Sequence, residues 1–345
     1  MTVRVGLLGA TGAVGQRLIQ LLDPHPEFEI AALTASEESA GKSYREAAKW
    51  RVEAPIPEEV AQMEVGATTP EDVPDDVSLI FSSLPSGVGA EVEPDFCEAG
   101  YVVSSNSSNG RMDPDVPLTI PEVNPEHVDL IEVQRDERGW DGALLKNPNC
   151  STITMVPPLE ALDRAFGLTD VRVSTLQAVS GAGYSGVSSM EIIDNAIPHI
   201  GGEEQKMETE SRKLLGEFDG AEVRLHDMDV AASCNRIPTL DGHLENVWAD
   251  TAEDVTADAA ADAMDEVTGV DLPSSPEHLI KVFEEPDRPQ PRLDRNTEGG
   301  MGVAVGGFRE TTDGVQFNCL AHNTMRGAAG ASILNGELLL QNGYL

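Results

Sequence analysis

Apolar residues along this chain follow two different patterns, and the change between them falls near residue 150. Residues 3–8 (VRVGLL) form a short apolar, β-branched run, the pattern of a strand buried on both faces. A glycine-rich turn follows at 9–15, then helical periodicity over 13–22 that stops near Pro24. Residues 28–33 repeat the strand pattern, as do 77–81 and 101–104, and a helix-like run reaches Ala99 between the last two. Strands alternating with helices predict βαβ units and a parallel sheet. Beyond position 150 the pattern changes. A helix is expected over 151–166, N-capped by Ser151 or Thr152. Long strand-like runs come next, at 169–180, 222–237, 244–250, 300–309 and 314–321, and these suggest a mixed or antiparallel sheet. Residues 284–299, rich in proline and charge, read as an exposed loop, and 324–340 reads as an amphipathic helix.

The fold class that follows is α/β. A Rossmann-like dinucleotide-binding domain spans 1–149, and an α+β catalytic and dimerisation domain with a mixed sheet spans 150–323. The C-terminal helix, within 324–345, is expected to return to the first domain and complete it. A length of 345 residues suits two such domains.

Charge restricts the partners. Sixty acidic against 23 basic residues leave a formal net charge of −37, which repels phosphate backbones and anionic membranes. Self-repulsion on this scale is relieved by salt, because the Debye length falls to roughly 3 Å at 1 M. The charge therefore reads as adaptation to a salty cytoplasm, with an acidic mesophilic protein as the alternative. The acidic stretch 250–265 has helical spacing and suits a solvated surface. No apolar run is long enough to span a membrane, and the N-terminus enters a strand without a signal-peptide pattern, so a cytoplasmic location is expected. The four cysteines lack zinc-ligand spacing, so no metal site is expected and they should remain thiols.

Two local patterns carry chemistry. In Gly9-Ala10-Thr11-Gly12-Ala13-Val14-Gly15, glycines recur every third position between a strand and a helix, where backbone N–H groups can approach a pyrophosphate. The second strand ends at Thr34-Ala35-Ser36-Glu37-Glu38-Ser39, followed by Lys42. Ser36, Ser39 and Lys42 suit a ribose 2′-phosphate, whereas Glu37 and Glu38 oppose one; the balance favours NADP over NAD. The second pattern is Asn147-Pro148-Asn149-Cys150-Ser151-Thr152, just before a helix. A helix N-terminus lowers a thiol pKa, and its free N–H groups can hold an oxyanion. The candidate acid/base partner is His243. The plainer reading, a structural cysteine and a surface histidine, stays open on these residues alone.

Taken together, NPNCST, Gln177-Ala178-Val179-Ser180-Gly181-Ala182-Gly183, Gly201-Gly202-Glu203-Glu204-Gln205-Lys206, SCNRIPTLDGH and HNTMRGAAG resemble the aspartate-semialdehyde dehydrogenase family, most closely its archaeal/fungal-type branch, nearly end to end. The resemblance implies that Cys150 attacks the acyl carbon of aspartyl β-phosphate and forms a thioester. NADPH then reduces the thioester to aspartate β-semialdehyde. His243 is implied as acid/base group, with an ordinary pKa near 6.5 suited to that role, and Gln177 as orienting amide. Arg236 is implied to clamp the substrate carboxylate, Glu203 its ammonium group, and Lys206 and Arg111 the phosphate, with Asn149 in the same substrate site. Ser180, Gly181 and Asn323 are implied to join Gly9, Thr11, Gly12, Ala13, Val14, Ser36 and Ser39 around the cofactor. Glu204 is expected to be a solvated surface charge. Phosphate and a homodimer or homotetramer complete the implied partners. The alternatives are malonyl-CoA reductase of the same branch, disfavoured because Glu203 has an ammonium group to pair with, and a non-catalytic nucleotide-binding paralogue.

Overall fold

The computed structural model describes residues 2–345. The first sheet contains β1 (Val3–Leu8), β2 (Phe28–Ala35), β3 (Val65–Ala67), β4 (Leu79–Ser82), β5 (Val102–Ser105) and β6 (Ala143–Lys146). All pairings are parallel, in the order β3-β2-β1-β4-β5-β6. The strands are almost wholly buried, as expected for a parallel sheet covered on both faces. The sequence reading missed β3 and β6. Each is only three or four residues long, too short for a period to register.

The second sheet follows from β7 (Leu168–Gln177). After a small hairpin of two-residue strands, β8 (Glu217–Phe218) with β9 (Val223–Arg224), come β10 (Asp229–Arg236), β11 (His243–Thr251), β12 (Ile280–Phe283), β13 (Val303–Glu310) and β14 (Gly314–Ala321). Its order is β10-β7-β11-β14-β13-β12, parallel at the two outer pairs and antiparallel between them. The expected strand 222–237 is in fact two, because the chain leaves the β8/β9 hairpin before entering β10. The run 169–180 stops at Gln177 and closes in a 3₁₀ turn at Val179–Ala182. β12 was not foreseen.

Residues 284–299 are not simply an exposed loop. They hold a short helix, Pro291–Asp294, whose Asp294 is buried and accepts hydrogen bonds from Arg288 Nε (2.7 Å) and the Gln290 amide (2.6 Å). The carboxylate thereby organises a proline-rich stretch that composition alone reads as solvent-exposed. The C-terminal helix also departs from expectation. It begins at Gly330, after a π-helical turn at Met325–Ala329, and runs to Gln341. It is not amphipathic: residues 330–339 are all buried. The helix packs on the first domain, where Ser104 Oγ meets Ser332 O at 3.0 Å and Asn335 Nδ2 donates to Thr119 O at 3.2 Å. Ala331 meanwhile joins the core of the second domain. A helix wedged between two cores has no solvent face to keep polar.

Candidate active site

A cavity of about 700 Å³ lies between the C-terminal ends of the parallel strands and the second sheet. One wall is the glycine turn. Gly9 has φ +74°, and a Cβ at Gly15 would sit 2.4 Å from Gly9 O, so both positions require glycine. The turn is braced from behind: Tyr44 Oη donates to Ala10 O (2.8 Å) and Gln16 Nε2 to Thr11 O (2.9 Å). Gly9, Thr11, Gly12, Ala13 and Val14 face the cavity, as do Ser36, Ser180, Gly181 and Asn323. A backbone cradle that no side chain fills, opening a helix, fits a dinucleotide pyrophosphate. Ser39 is the exception. The Ser39 and Ala40 amides turn back onto Ser36 O, and neither Ser39 nor Lys42 lines the cavity. Asn323 ties two loops together, donating to Ser180 Oγ (2.8 Å) and accepting from the Gly242 amide (2.9 Å).

The loop of the candidate nucleophile leaves β6 and enters the helix Thr152–Phe166 with Cys150 at the junction. Neither Ser151 nor Thr152 supplies the cap. Asn149 does, its Oδ1 accepting from the amides of Ser151 (2.9 Å) and Thr152 (3.1 Å). Those two N–H groups are therefore already used, and the Cys150 amide, which has no partner among the described residues, remains as the backbone donor at the helix start. Cys150 packs directly on Gly327 of the π-helical turn, where a Cβ would lie 2.7 Å from the cysteine Cβ. That turn is anchored by a fully buried bidentate pair, Arg326 with Glu122, at 2.7 and 2.9 Å.

Sheet register brings the remaining residues to Cys150. Gln177 and Arg236 are paired at the ends of β7 and β10, and His243 starts the neighbouring β11. His243 Nε2 lies 3.3 Å from Cys150 Sγ. Its Nδ1 accepts the Ala178 amide (3.1 Å), which places the neutral ring's proton on Nε2, aimed at sulfur. Burial pulls the imidazole down to about 3, with Arg236 and His322 adding to the effect, so the ring is neutral at physiological pH and not poised near 6.5. The thiol also departs from expectation. Burial pushes it up to about 12, Glu203 reinforces this, and Arg236, Arg111 and Lys206 pull the other way. Desolvation outweighs the surrounding cations, which are the groups that favour the thiolate.

Arg236 is buried, and the one hydrogen bond its guanidinium makes among the described residues goes to Ala178 O (2.6 Å). A buried guanidinium satisfied by a single carbonyl is prepared for an anionic ligand. Glu203 and Lys206 begin the helix Glu203–Leu214, 3.4 Å apart, and Glu203 Oε1 also accepts from the Asn149 side chain. Arg111 also lines the cavity, beside the same helix, where it donates to Glu210 (2.8 Å). Gln177 lines it as well, its amide donating to Thr175 Oγ1 (3.2 Å). Glu204 is not a free surface charge. It is half-buried and accepts the Cys234 amide (3.2 Å), while Glu208 accepts that of Ala232 (3.1 Å), so two carboxylates cover the open edge of β10.

The residues that sequence reasoning missed act through contacts it could not see. Gly327, Arg326 and Glu122 press the π-helical turn onto Cys150, and Glu210 binds the Asn149 amide. For Glu210 a signal was present: it lies four residues past Lys206, on the same helix face.

A parallel dinucleotide-type sheet whose strand ends open onto a Cys–His pair defines a two-domain oxidoreductase of the semialdehyde dehydrogenase class. Family profiles agree. The semialdehyde dehydrogenase NAD binding domain matches residues 4–131, and the semialdehyde dehydrogenase dimerisation domain matches 159–326. The chain is 51% identical to the aspartate-semialdehyde dehydrogenase of Archaeoglobus fulgidus over 99% of both chains. It is 52% identical to that of Methanothermobacter thermautotrophicus, over 98% of this chain and 99% of the relative. Among solved structures, the Candida albicans aspartate-semialdehyde dehydrogenase with NADP superposes with a TM-score of 0.92 at 40% identity, covering all of both chains. The Vibrio cholerae aspartate-semialdehyde dehydrogenase II complexed with ASA gives 0.79 at 27%, over 99% of each. The chain belongs to the aspartate-semialdehyde dehydrogenase family.

Proposed function

We propose that the chain converts L-aspartyl 4-phosphate to L-aspartate 4-semialdehyde with NADPH, through a thioester on Cys150. The observation that carries this reading is the 3.3 Å contact of Cys150 Sγ with His243 Nε2 in a cavity that also holds the glycine turn and the carboxylate-free Arg236. Sulfur attacks the β-acyl carbon and phosphate leaves. The hydride that reduces the thioester is what bound NADPH supplies. Arg236 holds the α-carboxylate by parallel hydrogen bonds, and Glu203 holds the ammonium group. Lys206 and Arg111 balance the departing phosphate. The Nε2–H of His243 first faces the thiolate and then donates to the oxygen that gains charge at the reacting carbon. Asn149 and Gln177 orient the acyl group. Ser36 at the end of β2 and the NADP complex of the Candida albicans relative support NADP as the nucleotide.

The test is reduction of NADP, and separately NAD, by L-aspartate 4-semialdehyde in the presence and absence of phosphate, run in molar KCl. Phosphate-dependent turnover that prefers NADP is expected. Turnover with malonyl-CoA but not with the semialdehyde would replace this reading.

The same reading places the enzyme in the cytoplasm, in the branch that leads to lysine or diaminopimelate, threonine, methionine and isoleucine. It also makes the enzyme a homodimer or a dimer of dimers. Support for assembly comes from the dimerisation-domain match and from Met190, Ile193 and Trp248, which expose apolar surface on the second domain. A net charge of −37 supports a salt-adapted chain. A KCl series from about 0.1 to about 3 M, followed by melting and sedimentation velocity, checks both points. The melting temperature rises with salt and the dimer persists. A flat melting curve rejects salt adaptation, and a monomer throughout rejects the assembly.

A further inference from the structure

The helix Glu203–Leu214 presents four charged residues on one face, at 203, 206, 210 and 213. The first two face the cavity and belong to the substrate site already described. The other two are buried behind it, each 2% exposed, and they bind backbone and guanidinium groups of the loops that carry that site. Glu210 Oε1 accepts from Arg111 Nη1 at 2.8 Å, and Glu210 Oε2 accepts from the Asn149 amide at 2.7 Å. Lys213 donates to three carbonyls of the Arg111 loop: Arg111 (2.9 Å), Asp113 (2.7 Å) and Val116 (2.7 Å).

We propose that Glu210 is a positioning residue that sets the span between the phosphate-side cation Arg111 and the nucleophile Cys150. One carboxylate holds Arg111 with one oxygen and, with the other, the amide of the residue just before Cys150. Both partners are donors, so only a group that accepts at both oxygens satisfies them. Lys213 fixes the Arg111 loop to the same helix and prevents the loop from drifting to compensate. A force that a bound phosphate exerts on Arg111 reaches the Cys150 loop most directly through this one buried side chain, the other route running through Asn106 to Asn147. This inference rests on the reading above that Arg111 faces the departing phosphate.

The isosteric Glu210→Gln keeps the shape and turns an NH₂ toward one of the two donors. In the phosphate-dependent oxidation of L-aspartate 4-semialdehyde, kcat is expected to fall roughly 10- to 100-fold, the range for losing a charge-assisted hydrogen bond. The KM for phosphate rises, and the KM for NADP stays within about twofold because the glycine turn makes no contact with Glu210. Carbamidomethylation of Cys150 by iodoacetamide, measured without substrates, changes at least about threefold because the Asn149 amide is released. Adding Arg111→Gln to Glu210→Gln costs little beyond the worse single variant. Constants within twofold of wild type, or additive losses with Arg111→Gln, overturn the proposal. If the wild type itself shows no phosphate-dependent turnover, the functional reading fails and alkylation alone decides: an unchanged rate in Glu210→Gln refutes the positioning role, and an altered rate sustains it. Should Glu210→Gln not fold, Lys213→Met frees the Arg111 loop and leaves the Asn149 bond intact. The KM for phosphate then rises while Cys150 alkylation is unchanged, and the reverse pattern overturns the proposal.

Discussion

Replacing Cys150 with alanine abolishes phosphate-dependent turnover, a loss of roughly 10⁴-fold or more, while dinucleotide binding is retained. No other thiol can take over. Cys97, Cys234 and Cys319 are buried within the cores, and Cys150 alone lines the cavity with a histidine in contact. Nucleotide binding survives because the glycine turn is braced by Tyr44 and Gln16, which do not involve Cys150. The wild-type thiol should also show its environment. Its pKa is raised to about 12, so the thiolate is the minor form at neutral pH and its fraction grows as pH rises toward that value. Alkylation by iodoacetamide is therefore expected to accelerate roughly tenfold per pH unit through pH 9. A plateau below pH 8 would show that the cations outweigh burial. An alanine variant within tenfold of wild-type turnover would remove the thioester mechanism altogether.

The second large effect is expected at Arg236. Arg236→Gln should lower kcat/KM for the semialdehyde by roughly 10²- to 10³-fold, the cost of leaving a buried substrate carboxylate without its cation. The KM for NADP should not move. Arg236→Lys should recover little, because one ammonium group cannot make two parallel hydrogen bonds. A further consequence follows from electrostatics. Arg236 depresses His243, so its removal lets the imidazole pKa rise, and the acid limb of the pH–rate profile shifts to higher pH. Steady-state kinetics across pH reads both effects. A variant with normal kcat/KM would show that the substrate carboxylate binds elsewhere.

Much of this site was legible along the chain, and the portions that were not share a cause. The glycine turn could be read because most of its backbone demands are local: Gly9 has a positive φ, and a Cβ at Gly15 would strike Gly9 and Ala10, whereas the close approach of Ser83 to Gly9 comes from the end of β4. Cys150, Arg236 and His243 were legible as types of residue in recognisable surroundings. Their electrostatics were not. The helix position of Cys150 predicts a lowered pKa, yet the thiol sits high because the C-terminal π-helical turn and the second sheet bury it. The same burial takes His243 far below 6.5. Asn149 was read as a substrate residue, and it is also the helix cap that takes up the Ser151 and Thr152 amides. Glu204 looked solvated because its partner, the edge of β10, lies thirty residues away.

By itself, then, the sequence determined the change from a parallel to a mixed sheet near residue 150, the place of the glycine turn, the candidate nucleophile and the sign of the net charge. Each of these depends on residues within a few positions of one another, or on composition. Only the tertiary structure decided which strand ends converge, how His243 is oriented and titrates, why Gly327 must be glycine, and that Glu210 joins Arg111 to the Cys150 loop. Those outcomes depend on sheet register and on desolvation, and both are set by contacts between segments far apart in the chain, 61 residues for Asn149 with Glu210 and 93 for Cys150 with His243.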